Sequence, residues 1–68
     1  MKLRRSYFDH MLRLATGDRP VDRAYAVIPA EDARDVLSFW AGEFFFNRWA
    51  QSLSPEDAAK LFAILHEP

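Results

Sequence analysis

Three observations predict a small all-α domain, a compact bundle of about four helices with one long third helix, formed by residues 1–68 as a single unit. Apolar residues recur at helical spacing along most of the chain. Ser, Asp and Pro stand where helices begin. Only Tyr25-Ala26-Val27-Ile28 reads as a short strand, and it has no second strand to pair with. The expected helices lie near residues 6–16, 19–28, 30–52 and 55–66.

The first helix opens at Ser6. Ser6-Tyr7-Phe8-Asp9 fits a capping box with Asp in place of Glu, and Tyr7, Phe8, Met11, Leu12 and Ala15 then make one apolar stripe. Arg5, Asp9 and Arg13 form a charge ladder on another side, worth only about 0.2–0.5 kcal/mol per pair. Gly17 ends the helix, because a left-handed cap carries no steric penalty for glycine. Asp18-Arg19-Pro20 starts the second, with Val21, Ala24, Tyr25 and Ile28 on one face. Pro29 stops it and opens the third, whose first turn carries Glu31 and Asp32 against the helix dipole. Ser54-Pro55-Glu56-Asp57 is the clearest helix start, followed by the apolar face Ala58, Leu61, Phe62 and Leu65.

The third helix carries the densest feature of the chain. Six of the ten aromatic residues fall between Phe39 and Trp49. At about 100° per residue, Ala33, Val36, Leu37, Trp40 and Phe44 share one face. Phe39, Phe46, Ala50 and Leu53 share another, with Trp49 at its edge. A helix apolar on two faces is buried on two sides. The first face is expected in the domain's own core. The second is covered either by helix four or by another chain. Gly42, in mid-helix, costs about 1 kcal/mol relative to Ala and permits a bend or a close helix approach.

Composition bounds the rest. A chain of 68 residues buries only about 60% of its unfolded surface, so its stability depends on dense packing or association. There is no cysteine, which removes disulfides and thiolate metal sites. Neither a secretory h-region nor a run long enough to span a membrane is present, so a cytoplasmic location is expected. Charge is uneven: residues 1–23 carry six basic and three acidic side chains, residues 24–68 three basic and seven acidic.

No constellation points to catalysis. His10 and His66 stand at opposite ends, the carboxylate pairs belong to helix starts, and with only Gly17 and Gly42 there is no glycine-rich phosphate loop. No enzyme activity, metal or cofactor is expected. The leading expectation is a regulatory or inhibitory protein of the kind encoded by phages and mobile elements. It would bind a larger protein partner, or homodimerise, through Phe39, Phe46, Arg48 and Trp49, with Arg13, Arg19 and Arg23 steering the encounter. The alternative is a nucleic-acid-associated modulator using the basic N-terminal half, where Lys2, Arg4, Arg5, Arg13, Arg19 and Arg23 lie. The net charge of −1 opposes it. The layout loosely resembles the Hha/YmoA family of nucleoid-associated modulators. The matching residues are Asp9 to Leu14, Val21-Asp22 with Val27-Ile28, and Glu43 with Asn47 before Pro55. The family's acidic-histidine-arginine run in the long helix is missing, so the resemblance implies only that such a layout serves a chain that binds a regulator.

Overall fold

The computed structural model describes residues 5–17 and 25–66. Among them are four α-helices: α1 (Arg5–Ala15), α2 (Ala30–Trp40), α3 (Phe44–Gln51) and α4 (Pro55–His66). There is no strand among the described residues. The fold is all-helical, as the periodicity predicts, but the chain is divided differently.

The long third helix is absent, and in its place α2 and α3 meet at an elbow. Ala41 adopts φ −57° and ψ 132°, Gly42 has φ 92°, and the Glu43 N–H donates to the Trp40 carbonyl at 3.1 Å. These are the marks of a type II turn, whose second central residue needs the positive φ that glycine adopts without steric penalty. The glycine of the presumed helix interior is therefore the residue that ends it. The expected second helix also changes. Residues 19–24 lie outside the described residues, and Tyr25 to Pro29 are not helical. Pro29, at φ −58° and ψ 151°, instead precedes α2, and its carbonyl accepts from the Asp32 and Ala33 N–H groups.

The helix packed on two sides is α1, not the aromatic one. Phe8, Met11, Leu12 and Ala15 are buried, and so are His10 and Leu14. On a helical wheel the last two lie roughly half a turn from Phe8 and Leu12. The Tyr25–Pro29 segment covers the His10 side. The Tyr25 ring sits 5.3 Å from His10 and 5.4 Å from Tyr7, and the Tyr25 hydroxyl shares a 2.9 Å hydrogen bond with Ser6 Oγ. His10 Nε2 donates to the Ala26 carbonyl at 3.2 Å. That contact fixes the tautomer and leaves Nδ1 as a buried acceptor with no partner, a desolvation cost the packing offsets. Ser6 and Asp9 therefore form no capping box. Ser6 lies inside α1 facing Tyr25, while Asp9 bonds to α3.

The remaining core comes from Ala33 and Leu37 of α2, Phe46 and Trp49 of α3, and Leu61 of α4. Two end signals stand where the residue types place them. Gly17 has φ 86° just beyond α1. The Asp57 N–H donates to Ser54 Oγ at 3.2 Å, with Pro55 opening α4. On α4, Leu61 is buried, but Phe62 is exposed and stacks on His66 at 4.1 Å.

Candidate functional site

The elbow rotates the two halves of the aromatic run relative to one another, and this decides which rings are free. Residues 41–43 leave the helical path, so the wheel that groups Trp40 with Phe44 does not continue through them. Phe46 and Trp49, expected on a docking face, are each 2% exposed. They meet α1: Phe8 lies 5.3 Å from Phe46 and 5.2 Å from Trp49, ring centre to ring centre, and Phe46 lies 5.2 Å from Trp49. The Trp49 indole N–H completes the joint by donating to Asp9 Oδ1 at 2.8 Å. Hydrogen bonds to a charged acceptor of this kind are among the stronger ones. These two residues are core and cannot anchor a partner. The signal that could have separated them from a surface was Gly42.

Phe44, expected in the core, lies outside it at 71% exposure, and Phe39 is 76% exposed. Phe45 is about half exposed. Phe39 and Phe45 are linked through Trp40 around the elbow: Phe39 packs edge-on against Trp40 at 5.2 Å, and Trp40 lies 6.0 Å from Phe45. The guanidinium of Arg48, one turn along α3, stands 5.8 Å from the Phe44 ring centre. That is within cation–π range and holds the side chain along the patch. Taking about 200 Å² per phenylalanine, the three side chains expose on the order of 400 Å² in total, of which the Phe39 and Phe45 shares are joined through Trp40. Exposed apolar patches of a few hundred Å² on an ordinary monomer are often functional.

Beside the patch is an open cleft of about 460 Å³, lined by Arg5, Phe45, Arg48, Trp49, Gln51 and Ser52. It joins the first residue of α1 to the outer face of α3. The Ser52 hydroxyl donates to the Trp49 carbonyl at 2.6 Å and so caps the end of α3 at the edge of the cleft. Of the three arginines expected to steer a partner, Arg13 is exposed in the last turn of α1, and Arg19 and Arg23 lie outside the described residues. Among the described residues no three His, Asp or Glu side chains converge as metal ligands, and no helix is long and apolar enough to cross a membrane.

No protein-family model, curated protein or solved structure matches this chain. The likeness in layout to the Hha/YmoA family depended on a long third helix, and the elbow at Gly42 removes it.

Proposed function

We propose that this chain is a small non-enzymatic binding protein that regulates or inhibits a larger protein by occupying part of its surface. The observation that carries the reading is the aromatic elbow: Phe39, Phe44 and Phe45 are each exposed within seven residues of chain, Phe39 and Phe45 both pack on Trp40, and Arg48 stands over Phe44. Burying one phenylalanine is worth about 1.5–3 kcal/mol. A partner covering the three rings would gain several kcal/mol from a surface the fold itself leaves uncovered. A standard interface buries about 800 Å² per partner, so the patch is the apolar centre of such an interface and the polar residues around it the rim. The docking residues are therefore Phe39, Phe44, Phe45 and Arg48, a revision that keeps Phe39 and Arg48 and replaces Phe46 and Trp49.

The test is affinity capture from the native host with the wild-type chain and with a Phe39→Asp, Phe44→Asp variant, followed by binding measurements on the purified captured protein. The reading expects a larger protein that binds the wild type directly and the variant at least about tenfold more weakly, an interface loss of the usual hot-spot size. Equal affinity for both forms would show that the elbow is not the docking surface.

A further inference from the structure

The cleft beside the elbow narrows the docking reading, on which the following rests: the geometry points to the Arg5–Arg48 cleft as the receptor for an acidic side chain of the partner protein, an Asp or Glu flanked by an apolar residue. Two arginines, one from α1 and one from α3, line this cleft. Neither has a carboxylate within salt-bridge distance among the described residues. The Arg48 guanidinium lies 5.8 Å from the Phe44 ring centre, a cation–π contact that takes up none of its N–H groups with an acceptor, and the guanidinium fork suits a carboxylate. The one carboxylate bonded to a cleft residue, Asp9, accepts from the Trp49 indole and does not line the cleft. Helix α1 has no acidic residue in its first turn, so the positive end of its dipole adds to the same potential. Two like charges lining one concavity repel until an anion joins them, and the arginine fork matches a carboxylate with two parallel hydrogen bonds. Gln51 adds an exposed amide, and the half-exposed Phe45 ring supplies an apolar wall.

A peptide suits this site better than a nucleic acid. The cleft is large enough for only a few side chains, and the chain as a whole carries a net charge of −1. A continuous phosphate backbone needs a row of cations and gains its affinity from neutralising many phosphates at once. One or two carboxylates need only the two arginines present.

The experiment is selection of displayed random peptides on the full-length chain. A synthesised winner is then titrated by fluorescence anisotropy against wild type, Arg5→Gln, Arg48→Gln and Phe39→Ala, with far-UV circular dichroism confirming that each variant is folded. The expected winners carry Asp or Glu next to an apolar residue, and each arginine variant binds about tenfold or more weakly. Winners without acidic residues, or no winners at all, overturn the inference. Binding that falls with Phe39→Ala but ignores both arginine variants leaves the docking reading standing and removes the acidic occupant. Binding that falls with the arginine variants but ignores Phe39→Ala supports the cleft and removes the elbow as the interface. A labelled single-stranded oligonucleotide serves as the competing probe. If it binds the cleft and displaces the peptide at physiological salt, the occupant is a nucleic acid and the inference fails. Concentration-dependent self-association abolished by Arg48→Gln would instead make the occupant a second copy, and would overturn it equally.

Discussion

Replacing Gly42 by alanine tests the elbow directly. At φ 92° the residue stands where an L-amino acid pays a steric penalty of about 1–2 kcal/mol. A Cβ placed there would meet nothing within 4 Å, so the backbone term is the whole folded-state effect. Alanine also stiffens the unfolded chain, an opposing gain of about 0.4–1 kcal/mol. The net expectation is a loss of about 1 kcal/mol, or roughly 4–8 °C in melting temperature for a domain of this size. Urea denaturation followed by far-UV circular dichroism measures it, with Gly42→Asn as the milder companion because Asn enters the left-handed region more readily. The native helical signal should not change. The reasoning is refuted if Gly42→Ala is as stable as wild type or more so and gains helical signal. That would mean residues 41–43 accept helical geometry, α2 and α3 join, and the free rings are not those described above.

Other substitutions separate core from surface. Leu37→Ala, at a fully buried position, should cost about 2–5 kcal/mol in denaturant titration, whereas Phe44→Ala should stay within about 0.5 kcal/mol of wild type. Asp9→Ala should lose about 1–2 kcal/mol through the indole bond, and a double-mutant cycle with Trp49→Phe should show that the two effects are coupled rather than additive. Ser54→Ala removes the cap of α4 and should lower stability by about 1 kcal/mol, read from the same titration.

What the sequence made legible was local. The apolar stripe of α1, the Gly17 stop and the Ser54-Pro55 start each depend on residues within a few positions of one another, and each stands in the structure. The elbow was harder to read. A mid-helix glycine carries only about 1 kcal/mol against helix, less than the apparent gain from extending a continuous apolar pattern across it. Once the helix was extended, the wheel assigned Phe44 and Phe46 to the wrong sides. Tyr25 to Pro29 shows a different limit. Its residues suit one helical face, yet their partners are Tyr7, His10 and Ser6, and tertiary contacts set the backbone there. His10 gave no sign of burial, because a lone histidine beside an aspartate reads as surface. The candidate surface inherited these errors: Phe39 and Arg48 were expected on an outer face and are exposed, whereas the exposure of Phe44 and Phe45 follows only from the turn.

Because α1 is enclosed on opposite sides, it depends on segments translated after it. Its Phe8 side waits for Phe46 and Trp49 of α3, and its His10 side for Tyr25 and Ala26. A nascent chain cut short before α3 therefore displays the greasy Phe8 flank of α1 to whatever surrounds the ribosome exit. Contacts so distant along the chain delay the rate-limiting collapse, since loop closure precedes the reward. Terminated fragments ending in the elbow should be chaperone clients or degradation substrates rather than partly active binders, and a split of this protein into two complementing halves would succeed only if the break leaves α1 and α3 free to find each other.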